Sequence, residues 1–305
     1  DLHAVKVFGP DGKEVPSQIQ EIQDNEVTVS FLADVPSVGY KVYDVRPSNE
    51  PSKLDTGLKV NGKTLENQYL KVTIDDNGDI ASIYDKENDK ELLSEPIRLE
   101  LFDNNSSTWP SWEILYEDIL EPREVVKATP TIEVVEDGPV SVAINVVRKY
   151  AGSTYDQTIR LSTNSRRVDV DNIVNWQNRS TLLKVAFPLT VSNEKATYDL
   201  GLGTIERGNN TEKLYEVPAQ QWADITDESG EYRVSIINDC KYGWDKPEDN
   251  ILRLTLIHTP RGSYGSNNQH LQDLGENRFQ FSIYGHKGDW VAGDTVTQGE
   301  RVNKP

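Results

Sequence analysis

Two short loops concentrate the side chains that could recognise or transform a ligand. Asn238-Asp239-Cys240-Lys241-Tyr242-Gly243-Trp244-Asp245 sets amide, carboxylate, amine and two aromatic rings between two apolar runs. Fixed hydrogen-bonding groups beside aromatic faces suit the hydroxyls and C–H edges of a sugar. The same residues equally suit a stiff loop whose Asn and Asp satisfy their own backbone. Trp109-Pro110-Ser111-Trp112-Glu113 is the second loop. Its two indoles either meet a ligand or pack against another domain. Arg261, in HTPRGSYG, and Asp273, in LQDLGEN, add a guanidinium and a carboxylate, each also explained by a surface ion pair.

A self-contained catalytic set is harder to find. None of the four histidines (His3, His258, His270, His286) is followed two residues later by Asp, and no His/Cys/Asp spacing makes a metal site. With 50 acidic residues, carboxylate pairs are inevitable and single nothing out. There is no nucleophile elbow and no phosphate loop. Residues 75–79, DDNGD, superficially resemble a calcium loop, but the twelfth-position Glu is missing and the flanks are strand-like. They read as a hairpin turn of the Asn-Gly kind. The one cysteine, Cys240, excludes an internal disulfide and reads as a buried small side chain rather than a reactive thiol. No catalytic residue and no metal ligand is therefore assigned on this chain.

The elements that must hold these loops are β-strands, clearest over residues 157–189. Val168, Val170, Val174 and Trp176 share one parity, and Arg167, Asp169, Asp171 and Asn175 the other. Such alternation means one buried and one wet face. Leu183, Val185, Phe187 and Leu189 repeat the pattern against Leu182, Lys184 and Ala186. Arg160, Arg166 and Arg167 are expected to face Asp169 and Asp171 across strands and fix register. Further strands are expected in HAVKVFG, EVTVSFLADV and GYKVYDV, around Val72 and Ile83, over 232–237, and through Leu252, Leu254, Leu256 and Phe279, Phe281, Ile283. A short helical turn is expected within 112–120, and 291–305 read as a tail. No window keeps a helical period and no repeat appears. Many short strands separated by turn signals predict an all-β fold, a large two-sheet sandwich. The Pro/Ser/charge-rich stretch 47–57 sets a boundary: 1–53 as a small β subdomain and linker, 54–305 as the large sandwich.

Net charge of −18 argues against nucleic acid and against an anionic membrane surface, and serves solubility. No apolar run is long enough to span a membrane as a helix. The chain contains no Met, which reads as a processed or excised piece of something longer. Compartment stays open between cytoplasmic and periplasmic or secreted. The N-x-S/T triplets at Asn104, Asn105, Asn178 and Asn209 matter only in a glycosylating secretory pathway.

Five segments in order resemble one family. They are DVPSVGYKVY (34–43), LENQYLKVTIDDNGDIASIYDKENDKELL (65–93), RRVDVDNIVNW with LLKVAFPL (166–189), SIINDCKYGWD (235–245) and FSIYGHKGDW (281–290). They are similar to the C-terminal β-rich region of glycoside hydrolase family 38 α-mannosidases. The resemblance implies a sandwich of the galactose-mutarotase-like type with a smaller β subdomain beside it. It implies a retaining hydrolase whose two carboxylates, set about 5–5.5 Å apart for retention, and whose zinc or other divalent ion belong to a barrel domain before residue 1. That barrel, in the same polypeptide, and mannose-containing glycans are the implied partners; nucleic acid and membrane are not. The resemblance places the 238–245 loop toward the barrel. The second loop departs from the family's Trp-Asp-Ala-Trp-Asp pattern, with Pro110 and Glu113 at two of its positions. Asp273 lies near an Asp-Gln-Gly position but lacks the Gln. Two other readings stand beside this one. The first is a free-standing carbohydrate-binding module with Trp109, Trp112 and Trp244 as its platform. The second is a self-sufficient mutarotase-like enzyme using His258 or His286 with a Glu.

Overall fold

The computed structural model describes residues 3–24, 26–262 and 269–304. Two large antiparallel sheets face each other. One has nine strands, in the order Thr131–Asp137, Ser141–Tyr150, Ser153–Ser162, Arg167–Trp176, Gly275–Lys287, Tyr232–Asn238, Trp222–Thr226, Ala196–Asp199, Thr204–Arg207. The other has six, in the order Glu124–Val125, Arg98–Asp103, Thr181–Pro188, Ile251–Thr259, Gly243–Glu248, Val217–Pro218. The expected all-β, two-sheet sandwich is what forms. Val168, Val170 and Val174 of the first sheet meet Leu183, Val185 and Phe187 of the second in one buried core. Phe187 and Phe281 join the layers edge to face, centroids 5.4 Å apart, a pairing worth about 0.5–1.5 kcal/mol beyond its burial.

A five-stranded sheet from Lys59–Asn61 to Lys90–Glu91 packs its Leu65, Val72 and Ile83 into the same core. The 75–79 turn sits in this sheet, closing Leu70–Ile74 onto Ile80–Asp85. Gly78 there has φ +84°, and a Cβ would stand 2.5 Å from Val146 Cγ1. Only glycine meets both demands. Glu14–Val15, Ala4–Phe8 and Asp44–Ser48 form a three-stranded sheet, and Ser17–Gln23 pairs with Glu26–Phe31. Gln18 of that pair accepts from the Val140 and Ser141 amides at 2.9 and 3.0 Å.

Several expectations change. Thr181–Pro188 is buried on both faces, not one. Residues 104–119 and 208–216 cross the outer face of its sheet, and Lys184 finds partners there. GYKVYDV does not pair until Asp44, and residues 38–43 have no regular ladder. The strand Ser17–Gln23 has a register shift between Ile19 and Glu21 that breaks its alternation, which hid it. The helical turn is a single 3-10 turn, Tyr116–Ile119. Residues 295–303, read as part of a tail, form an α-helix whose Val302 packs with Trp222, Ile237 and Tyr284. The arginines pair as expected only in part: Arg160 reaches Asp171 across strands and also takes Glu136, whereas Arg166 takes Glu87 and Arg167 takes Asp169 two residues along its own strand.

Candidate functional site

Register gathers the candidate loops at one end of the sandwich. Asp103 lies opposite Thr181, and Thr181 opposite Thr259, while Trp176 lies opposite Gly275 in the other sheet. The 104–118 segment, the 177–180 turn and the chain after Thr259 therefore emerge together. Trp176 Nε1 donates to Thr259 Oγ1 at 2.8 Å and ties the two sheets at that end.

The Trp109 carbonyl accepts from the amides of both Trp112 and Glu113 at 2.9 Å, closing a tight turn. That turn stacks the two indoles 5.5 Å apart and 5° from parallel. Trp109 is 54% and Trp112 84% exposed, which is costly for two of the largest apolar side chains. Beneath them Ser106 Oγ donates to Glu113 at 2.7 Å, and Asp118 clamps Asn105 through its amide and side chain at 2.7 and 2.8 Å. Tyr215 Oη donates to the Ile114 carbonyl at 2.7 Å and brings in the 208–216 segment. Trp112, Glu113, Lys213, Tyr215, Glu216 and His258 line a cleft of about 440 Å³.

Glu216 at the cleft floor is held from below. Lys184, fully buried, donates to it, to Asp245 at 2.9 Å and to Thr255 Oγ1 at 2.8 Å. Thr255 in turn donates to the other Glu216 oxygen. Asp245 also receives Arg253, whose Nε lies 3.0 Å away, and Arg253 faces Glu100 at 3.7 Å. Burial alone would push the Asp245 carboxyl up, but Lys184 and Arg253 outweigh it and hold it below the usual range.

His258 Nε2 is buried and makes no hydrogen bond among the described residues. Burial lowers its pKa from 6.5, against the opposing pull of Glu216 and Asp273. The native state then binds fewer protons than the unfolded chain near that pH, so stability falls as pH drops through it. In His258→Gln, the difference in urea midpoint between about pH 7.5 and about pH 5.5 is expected to shrink; an unchanged difference would contradict this.

The sequence-derived residues divide. Trp109, Trp112 and Glu113 come together, and Ser111 Oγ donates to Gln272 Oε1 at 3.3 Å, next to Asp273. Arg261 and Asp273 are both exposed. Asn238 is buried, donates to the Lys241 carbonyl and so fastens its own turn. Asp239 is half-buried, Lys241 Nζ sits 5.1 Å over the Phe279 ring, and Tyr242 is exposed. None of these four lines the cleft. Trp244 is fully buried in the core, so it is no part of an exposed platform. Its strand turns it inward while Asp245 takes the outer face. Cys240 is exposed, not buried, because it lies between the strands ending at Asn238 and starting at Gly243. Asn104, in one of the N-x-S/T triplets, is buried and donates to the Thr259 carbonyl at 3.0 Å, closing it to modification.

Elsewhere, His286 Nε2 lies within 3.1–3.2 Å of Asp224 Oδ2, Ser235 Oγ and Thr295 Oγ1. A cavity of about 840 Å³ opens at the other end among Arg166, Arg167, Lys287 and Arg301. Among the described residues, no cluster of three or more His, Cys, Asp or Glu could hold a metal ion.

Residues 65–262 match the glycosyl hydrolases family 38 C-terminal domain. The chain belongs to glycosyl hydrolase family 38. Among similar family members, α-mannosidase G of Dictyostelium discoideum is 25% identical, covering 95% of this chain and 29% of that protein. An α-mannosidase of Saccharomyces cerevisiae is 28% identical, covering 90% and 28%. A family 38 protein from Enterococcus faecalis shares the fold, with a TM-score of 0.77 at 17% identity over 99% of this chain and 41% of that one. The chain thus spans less than a third of the length of these two curated relatives. Within family 38 terms, the stacked tryptophans, Glu216 and His258 all fall inside the matched region, and Asp273 and the last helix fall outside it.

Proposed function

We propose that this chain is the C-terminal β-domain of an α-mannosidase that cleaves terminal α-mannosides with retention. It packs on the catalytic barrel of the same polypeptide and lines one wall of the substrate cleft. The carboxylates and the divalent ion, zinc by expectation, belong to the barrel. The observation that carries this reading is that proteins named α-mannosidase align along 90–95% of this chain while it spans only 27–29% of them. The exposed Trp109–Trp112 stack supports a surface that something else covers or occupies. Assay on an aryl α-mannoside tests the division of labour. The full-length polypeptide is expected to hydrolyse it and residues 1–305 alone are not. Turnover by the piece, or none by the full-length protein, rejects the reading.

The same exposed stack favours a second reading, a carbohydrate-binding module that works alone. Calorimetry with mannose oligosaccharides separates the two: appreciable affinity of residues 1–305 by themselves favours the module.

A further inference from the structure

We propose that the cleft between Trp112 and His258 is the subsite for the sugar on the leaving-group side of the scissile bond. This rests on the α-mannosidase reading and adds to it which residues of this domain touch substrate, and which part of the substrate they touch.

The argument starts from the cleft's composition. Its volume, about 440 Å³, falls within the roughly 300–1,000 Å³ of small-ligand sites. Glu113 and Glu216 would repel an anion, and Lys213 and the His258 imidazole leave no strong field for a cation. A neutral polyhydroxylated ligand is what remains. Trp112 keeps its outer face open because its inner face lies on Trp109. A flat aromatic surface backed in this way suits the C–H face of a pyranose.

The polar groups are fixed in advance. Both Glu216 oxygens are oriented, one by Lys184 and one by Thr255, and each keeps a lone pair for a hydroxyl. Lys184 cannot swing away, since it is fully buried and bound to Asp245 as well. Holding acceptors still before the ligand arrives lowers the ordering cost of binding. His258 Nε2 is a buried polar atom without a partner among the described residues, and such an atom is costly until something bonds it. A sugar hydroxyl in the cleft can do so.

The choice of the leaving-group side follows from the division of labour. In the proposed function the groups that react at the anomeric carbon belong to the barrel, which must therefore enclose the terminal sugar. What this domain can hold is the next residue. Trp112 and His258 are contact residues, and Lys184 is a positioning residue that acts through Glu216.

The test uses the full-length enzyme with α-1,2-, α-1,3- and α-1,6-linked mannobiose and an aryl α-mannoside. The readout is kcat/KM on the disaccharide divided by kcat/KM on the aryl substrate. In Trp112→Ala and in His258→Gln this ratio is expected to fall fivefold or more on at least one disaccharide. Trp112 is largely exposed, so its truncation leaves the core intact, and thermal melting of both variants checks this. A smaller change in both overturns the subsite while leaving the α-mannosidase reading standing. An unaltered enzyme that cleaves neither kind of substrate overturns that reading and the subsite with it.

Discussion

Asp245→Ala is expected to destabilise the protein by about 3–5 kcal/mol, the cost of breaking a buried ion pair and leaving the other charge behind. Asp245 is fully buried and serves Lys184, Arg253 and Asn210 at once. Its removal strands two cations under the 104–119 and 208–216 segments. Glu216 and Glu100 remain, but Glu100 stands 3.7 Å from Arg253 and cannot replace a direct contact. Urea denaturation at neutral pH reads the effect directly. A loss below about 1 kcal/mol would mean that water enters the network and the segments above it are loose. The native carboxyl is held below its ordinary pKa, so its contribution is fully present above the unfolded value. It is lost only as pH falls through the folded one. At about pH 3 the variant and the parent should therefore differ less than at about pH 7.

Trp176→Ala should cost a similar amount, about 3–5 kcal/mol, by a different route. The indole is fully buried between the sheets, and its loss leaves a cavity that the paired strands cannot collapse into. It also removes the 2.8 Å hydrogen bond to Thr259 Oγ1. Thr259 donates in turn to the Gln272 carbonyl at 3.0 Å, under the loop that meets Ser111. Trp176→Phe keeps most of the apolar volume and is expected to lose markedly less. Denaturant midpoints of the two variants give the comparison. Equal losses would assign the whole effect to the hydrogen bond rather than to packing.

The strands that show one wet face were legible because their polarity follows their geometry. Arg167–Trp176 alternates in burial much as its residues alternate in type. The 75–79 turn was legible because Asn-Gly has one dominant use. Thr181–Pro188 was misread on one face because burial there comes from segments distant in sequence. A lone Lys in an apolar run was the available signal, and it marks the network rather than solvent. Trp244 was placed outside because it sits in a polar stretch, yet a single position of strand parity sends it inward. The helix Thr295–Asn303 opposes its own propensity, with β-branched residues and Gly299 in its body. The helix packs closely at Gly299, where a Cβ would stand 3.0 Å from Gln221 Oε1 and 3.4 Å from Trp222 Cδ1. Of the cleft, Trp112 and Glu113 could be picked out, and His258 only in a different role. Tyr215 and Glu216 lie on one segment and His258 on another, and they meet only through register and the covering loops.

That last helix also joins two places that look unrelated. Its Asn303 Nδ2 donates to the Asn238 carbonyl at 3.0 Å, while its Val302 covers Trp222 and Tyr284. Any fluctuation that lifts the helix must uncover an aromatic surface and release the 239–242 turn in one step. Amide exchange at the two places should therefore share one opening event, and a ligand or neighbouring domain that braces either would slow both.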